Sequence, residues 1–440
     1  MSAWQHVKVG DFLFEREGKY KPDAEEVSGL ERIDKIDFSG RFHLATKPSK
    51  TNMIRIEPGD LVISGINVAK GALGVFDGEE PVTATIHYSS YSFDEEKINV
   101  EYFKRFLKSP LFINLLKEQV KGGIKTEIKP KHLLPLIIPL PGIYEQQKIL
   151  SRFLRVENED GELKAELTHQ QTLLKKLRQQ ILQEAIEGKL TADWRAENPD
   201  VEPASELLKR IAAEKAELVK AKEIKKQKPL PPISDEEKPF ELPEGWAWER
   251  IGNITSVVTS GSRNWKSLYS DSGASFIRSQ DIKLDRLSYA DRAFVDVPDG
   301  QEGSRTQVKQ YDWLMIITGA NVGKCAYLSE DPGEAYVSQH VALMRPMTSQ
   351  VGLYGHLWLI SELGGRGLLA NSIYGDKPGL NLPQLRNLLI PIPTVEEQKA
   401  IVNETKLLMS ICDQLETQIT QNQAHADDLM QAVLREAFVQ

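Results

Sequence analysis

The sequence predicts an α/β (α+β) protein: two mixed globules related by a pseudo-two-fold axis and separated by two long antiparallel coiled-coil helices. Three observations predict it. An internal repeat recurs at a spacing of about 252 residues, short β-type runs alternate with turn signals in each half, and a proline-free heptad stretch closes each half. "HLLPLIIPLPGIYEQQKI" (132–149) returns as "QLRNLLIPIPTVEEQKAI" (384–401), "LRQQILQEAIE" (177–187) as "LMQAVLREAFV" (429–439), and "GDLVISGINVAKG" (59–71) as "YDWLMIITGANVGKC" (311–325).

Taken in order, residues 1–142 form the first globule, with strands such as "DLVIS", "ALGVF" and "ATIHY" and a helical stretch around "NVEYFKRFLKSPLFINLLKEQV". Residues 143–204 form the first long helix and a following turn. Residues 205–245 form a connector: Ser205 opens a charged, solvated helix running to about Lys226, ended by the proline run at 229–232. Residues 246–393 form the second globule and 394–440 the second long helix. The heptad seam of the first helix falls on Leu163, Leu167, Gln170, Leu174, Leu177 and Ile181, and that of the second on Leu415, Ile419, Asn422, Ala426, Leu429 and Val433. Antiparallel packing would bring Gln170 and Asn422 together, where polar side chains set register. Alternatively, both face solvent or another subunit.

Composition limits the function classes. The net charge is −8, yet residues 1–142 hold 20 basic and 20 acidic side chains and residues 246–393 hold 14 of each, so neither globule is generically basic. DNA binding then requires basic groups gathered on one face, or a second subunit supplying phosphate contacts. Two cysteines, Cys325 and Cys412, lack metal-ligand spacing. No apolar run approaches the roughly 20 residues of a membrane span, and "MSAWQHVKVG" lacks the build of a secretion signal. A cytoplasmic protein without membrane contact is expected.

Catalytic patterns fail one by one. "GANVGKC" (319–325) follows an apolar strand as a phosphate-binding loop does, but it is one residue short and places Cys325 where a magnesium-binding hydroxyl belongs. Its sister "GINVAKG" replaces the second glycine with Ala69 and keeps Asn67 and Lys70, the counterparts of Asn321 and Lys324. The chain has no His-Glu-x-x-His, no Cys-x-x-Cys and no Asn-Pro-Pro-Tyr. Asp77 with Glu95-Glu96-Lys97 resembles a magnesium nuclease pattern only loosely, and the second copy has "MTSQ" there. No metal and no cofactor is expected in this chain. His87 and His340 correspond between the copies, as strand-end residues or as DNA contacts.

Two variable globules, each closed by "IPLPGIYEQQKI" or "IPIPTVEEQKAI" and followed by a long helix, with "GKLTADWRAENPD" after the first, resemble the specificity subunit of type I restriction-modification enzymes. The resemblance spans the chain. It implies non-catalytic reading of double-stranded DNA by two target recognition domains. It also implies a complex with two modification (methyltransferase) subunits that use S-adenosylmethionine and, for cleavage, two restriction subunits that use ATP and magnesium. A spacer helix of about 40 residues, about 60 Å long, sets an upper limit of some 18 base pairs between two different half-sites. The alternatives are a nucleotide-binding enzyme using 319–324 and a coiled-coil adaptor whose globules bind proteins.

Base edges and phosphates are read best by Arg, Lys, Asn, Gln, Ser and Thr on loop tips. In the second globule these are Ser262, Arg263, Asn264, Lys266, Arg278, Ser279, Gln280, Thr318, Asn321, Lys324, Gln339, His340 and Lys377. In the first they are Ser64, Asn67, Lys70, His87 and Lys125, with Arg41, His43, Lys47 and Lys50 as further candidates.

Overall fold

A computed structural model describes residues 4–37, 40–45, 50–65, 72–107, 109–119, 130–261, 265–283, 285–297, 301–370, 373 and 379–438. The chain divides into two compact units, residues 1–169 with 419–440 and residues 170–418. Each unit takes one globule and part of both long helices, Ile143–Ile186 and Val395–Phe438.

In the first unit, Gln5–Lys8 pairs antiparallel with Ile137–Leu140. One four-stranded sheet has the order Leu13–Glu15, Tyr88–Phe93, Leu61–Ser64, Leu73–Val75, and another the order Phe42–Ala45, Arg32–Ile36, Val82–Thr85, Met53–Ile56. The second unit repeats this plan. Ala247–Arg250 pairs with Leu389–Ile392. Its sheets run Thr255–Ser260, Val341–Pro346, Trp313–Ile316, Cys325–Tyr327, and Tyr269–Ser270, Ala293–Val295, Ala274–Ile277, Ala335–Val337.

The apolar segments around 132–140 and 384–392 therefore end as short strands of two-stranded sheets. Such a sheet tolerates Pro139 and Pro391, because a strand with one neighbour needs only half of its N–H groups. Each globule opens on a repeat that the sequence reading missed, Trp-x5-Gly, at Trp4–Gly10 and Trp246–Gly252. A Cβ at Gly10 would stand 3.1 Å from the Leu134 carbonyl oxygen, and one at Gly252 3.0 Å from that of Arg386, the equivalent residue. Both approaches are closed by matching bonds, Val9 N–H to Leu136 O at 2.8 Å and Ile251 N–H to Leu388 O at 2.9 Å. Asp60 and Asp312, also equivalent and buried, brace their turns. Asp60 accepts from Arg16 Nε at 2.5 Å and Ser90 Oγ at 2.8 Å, and Asp312 accepts from Arg345 Nε at 2.8 Å and Nη2 at 2.7 Å.

The helical stretch after Ile98 breaks into Val100–Phe106 and Pro110–Gln119. Asn99 caps the first, its side chain accepting the Tyr102 N–H, and Pro110 opens the second because it has no N–H to give. Tyr102, Phe103, Phe106 and Phe112 build the core of the first unit around Phe153, Leu434 and Phe438.

Along the long helices one column of the predicted seam is buried and the other lies one residue from its predicted position. Leu167, Leu174 and Ile181 are buried on the first helix, Ile419 and Ala426 are buried on the second, and Val433 is half-buried. The alternate column, Leu163, Gln170, Leu177, Leu415, Asn422 and Leu429, is exposed. The seam is instead completed by Lys164, Gln171 and Arg178, and by Gln423 and Met430 on the second helix. Charge explains the shift. In the first unit Lys164 Nζ bonds Asp427 at 2.7 Å and Asp160 at 3.0 Å, and in the second Arg178 Nη2 bonds Asp413 at 2.7 Å and Glu416 at 3.0 Å. Long aliphatic stems lie in the seam while their charged ends reach across it, which a reading of leucine spacing overlooks. Within each unit the two helices run antiparallel, Phe153 lying with Leu434 and Ala185 with Ile401.

The connector helix spans Ala204–Lys220, one residue earlier and about six shorter than expected. Nor is it solvated on all sides. Ala204, Leu207 and Ile211 enter the core of the second unit, and Lys215 Nζ donates to the carbonyls of Gly252 and Thr255, at 2.5 and 2.8 Å. Burial pushes the Lys215 amine down to about 8.

Candidate nucleic-acid interface

The hydrogen-bond ladder gathers several predicted residues of the second globule at one end of its sheets. Strand Trp313–Ile316 leads into Ile317, whose N–H bonds His340 O at 2.9 Å and whose carbonyl accepts the Leu380 N–H at 2.9 Å. Thr318 forms an isolated bridge with Gly379. Ser338 N–H bonds Ile277 O at 2.9 Å, and Gly261 N–H bonds Ser338 O at 3.2 Å. Five segments thus meet: the chain before Arg278, the loop 318–324, the turn 338–340, the residues leading into 262–264 and the stretch 379–380. Thr318, Asn321, Gln280, Gln339 and His340 are exposed, and Lys324 and Ser279 half-buried. Gln339 Nε2 lies 3.1 Å from His340 Nε2.

The loop "GANVGKC" is the tip of a β-hairpin. Gly323 N–H bonds Ile316 O and Ile316 N–H bonds Lys324 O, both at 2.9 Å, so the ladder closes beneath the tip and Cys325 begins a strand. A phosphate-binding loop needs a helix N-terminus after its lysine, to aim N–H groups and a positive dipole end at the anion. Here the Cys325 N–H is already taken by Asp285 Oδ1 at 3.0 Å, which places a carboxylate at the base of the loop. The Cys325 thiol is buried, and burial pushes its pKa up. Arg366 pairs with Asp285 and, at 3.6 Å, with Glu362. His356 Nε2 donates to the Cys325 carbonyl at 2.8 Å, and burial holds that imidazole below its ordinary pKa, neutral. The nucleotide-enzyme alternative fails on this geometry.

Two of the predicted residues are engaged within the protein itself. Arg278 is a brace: its guanidinium donates to Asp281 at 2.8 and 3.0 Å and also bonds Asp291, and the Asp281 carboxylate accepts the Arg278 N–H at 2.8 Å. Ser64 is buried at the end of its strand, its N–H bonded to Ala72 O at 3.0 Å. Gln280 Nε2 reaches Asp291 at 3.2 Å. A neighbour that sequence reasoning missed, Arg292, is exposed and lies over the Tyr289 ring at 4.0 Å, which fixes a cation beside these residues.

In the first globule His87 is exposed, and its carbonyl accepts the Gly65 N–H at 3.0 Å, as that of His340 accepts the Ile317 N–H. Strand pairing equates Ile63–Leu73 with Met315–Cys325. Asn67 and Lys70 therefore stand two positions earlier in their connection than Asn321 and Lys324 do in theirs, so the shared motif is displaced along the loop. Arg41 and Lys50 are exposed, and His43 Nε2 lies 2.9 Å from Asp37. Asn67, Lys70, Lys125, Ser262, Arg263, Asn264, Lys377 and Lys47 lie outside the described residues, as does the side chain of Lys266.

Among the described residues no group of His, Cys, Asp and Glu side chains could hold a metal ion, and no helix is long and apolar enough to cross a membrane.

One framework, built twice and carrying different loops, defines a duplicated recognition protein. A family model described as the type I restriction modification DNA specificity domain matches residues 243–422. The EcoAI specificity subunit of Escherichia coli is 30% identical over 90% of this chain and 75% of its own length, and the EcoEI subunit of the same species is 28% identical over 83% and 68%. The fold matches a chain from a structural study of complex assembly and conformational transition of the type I restriction-modification system, with TM-score 0.70, 17% identity and coverage of 100% and 98%. It also matches the HsdS subunit of Thermoanaerobacter tengcongensis, with TM-score 0.56, 16% identity and coverage of 99% and 96%. The chain belongs to the family of type I restriction enzyme specificity subunits. Its members are non-catalytic DNA-recognition subunits that act in complex with partner subunits.

Proposed function

We propose that this chain reads an asymmetric, bipartite DNA site, one half with each globule, across a gap set by the two long helices, and docks two methyltransferase subunits on those helices. S-Adenosylmethionine would be bound by the methyltransferase subunits, and ATP with magnesium by two restriction subunits where cleavage occurs. The observation that carries the reading is the convergence of Thr318, Asn321, Lys324, Gln339 and His340 at one sheet end, which supplies the donors that base edges and phosphates require. The candidates at 262–264, 266 and 377 belong to the same proposal, and those at 67, 70, 87 and 125 to its counterpart in the first globule.

Docking is supported by the helix surfaces. Leu173, Leu177, Leu407, Ile411 and Leu415 in the second unit, and Leu154, Leu163 and Leu429 in the first, are exposed at 41–59%. A helix that leaves this many aliphatic side chains in water is suited to a protein partner.

The test is co-expression with methyltransferase subunits followed by methylation mapping. Methylation of one asymmetric two-part sequence, absent without this chain, is expected; unchanged methylation on omitting the chain would sink the reading. Within that complex, Lys324→Ala should weaken binding to all sequences alike and lower the salt slope of log K by about 1. Asn321→Ala should relax specificity at one base pair at a cost of about 1–3 kcal/mol. Salt-dependent anisotropy titrations on matched and single-mismatch duplexes separate the two.

A further inference from the structure

The two globules join equivalent strands in different ways. Arg32–Ile36 and Ala274–Ile277 each pair parallel with one strand, Val82–Thr85 or Ala335–Val337, and antiparallel with the next in the chain, Phe42–Ala45 or Ala293–Val295. The first globule makes that connection with residues 37–41 and the second with residues 278–292. The longer connection is folded. Ile282–Lys283 pairs antiparallel with Arg286–Leu287, Ser288 N–H bonds Asp281 O at 2.7 Å, and the Arg278 guanidinium ties Asp281 to Asp291 across the neck. Buried Ile282 and half-buried Leu287 share a core with Ala326 and Leu328, on and just past the strand that leaves the 318–324 loop.

The turn of this hairpin reaches the root of that loop. Asp285 stands there at φ 60°, a left-handed conformation that Asp tolerates better than most residues. Its carboxylate accepts the Cys325 N–H at 3.0 Å and pairs with Arg366 of the helix Gly365–Ala370. His356, on the helix Ser349–Ile360, donates to the carbonyl of the same Cys325 at 2.8 Å. Cys325 begins the edge strand of its sheet, so its outward N–H and C=O need partners other than a strand, and two side chains supply them. Lys324, one residue earlier, is tied inward, its carbonyl accepting the Ile316 N–H at 2.9 Å. The root of the loop is therefore held from both sides.

We propose that the hairpin 278–292 is a positioning device for the half-site read by the second globule: Asp285, held by Arg366, fixes Cys325 and thereby sets where Asn321 and Lys324 stand. The inference rests on the reading of those two residues as DNA contacts. Asp285 and Arg366 act through the loop and are positioning residues. A loop already held at its root loses less freedom on binding, and its tip presents one arrangement of donors rather than several.

The test uses the full chain in complex with methyltransferase subunits, titrated by anisotropy against the duplex given by methylation mapping and against duplexes with one substituted base pair in either half-site. Asp285→Gly keeps the left-handed turn and removes the carboxylate. Discrimination at the base pair that Asn321→Ala relaxes should fall about tenfold, with the other half-site unchanged. Arg366→Ala should act in the same direction at the same base pair, by about threefold or more. In an Asn321→Ala background, Asp285→Gly should cost less than about a further threefold, because no base contact is left to position. A merely structural role would instead lower affinity for every duplex alike, together with the thermal melt. Such a uniform loss, unchanged discrimination in both Asp285→Gly and Arg366→Ala, or full additivity with Asn321→Ala overturns the proposal and leaves the reading of the loop intact. If Asn321→Ala and Lys324→Ala themselves change neither discrimination nor affinity, that reading fails and the inference fails with it.

Discussion

If the proposed bipartite reading holds, removing one heptad from each long helix, residues 168–174 and 417–423, should shorten the unread gap of the DNA site by about two to three base pairs and leave both half-sites unchanged. Seven residues at 1.5 Å each make about 10.5 Å, or about three base pairs, and fewer if the helices are inclined to the duplex. A deletion of seven keeps each buried column in phase, so Leu167 is succeeded by Ile181 and Ala426 is preceded by Cys412, while Lys164–Asp427 and Arg178–Asp413 both survive. Deleting four residues instead rotates the buried columns out of the seam and should abolish assembly. Methylation mapping of the co-expressed complex reads the outcome. An altered half-site with an unaltered gap would show that the helices do not set the spacing.

Replacing Glu397 with glutamine destabilises the second unit by roughly 3 kcal/mol, the usual cost of breaking a buried ion pair from one side. Its carboxylate is wholly buried and answers three side chains, and Arg195, only 22% exposed, is left without its counter-charge. The equivalent change in the first unit, Glu145→Gln, should shift stability by no more than about 0.5 kcal/mol, because that carboxylate is solvated. Urea unfolding followed by circular dichroism compares the two, fluorescence being unsuitable beside Trp246. Equal effects would mean that Glu145 is as firmly paired in solution as Glu397.

Much of the fold was legible because the chain contains its own comparison. The repeat at about 252 residues gave the two globules, the helix entries and the strand-end histidines, and the structure places equivalent bonds at Gly10 and Gly252 and equivalent carboxylates at Asp60 and Asp312. One column of the helix seam, through Leu167, Leu174 and Ile181, was legible; the other was misread by one residue because apolar spacing records stems and not charges: it runs through Lys164, Gln171 and Arg178, which count as polar in any pattern. The connector was misread for a related reason. Its charge suggested solvent, but Leu207, Ile211 and the stem of Lys215 form one helical face that meets the second globule.

For the candidate site, the sequence supplied residue types and the structure their placement. Residue type and loop position picked out Asn321, Lys324, Gln339 and His340, which strand pairing then brings together. Arg278 was chosen by the same reasoning and proved to be tied to Asp281, since a sequence does not show which carboxylate will answer an arginine. Sequence alone determined the duplication, the family resemblance and the absence of a catalytic pattern, since these depend on residue identity and spacing. Tertiary structure alone decided which lysines and arginines are braces, which leucines remain in water, and which of the equivalent carboxylates Glu145 and Glu397 is buried, because burial and partner choice arise only when distant segments meet.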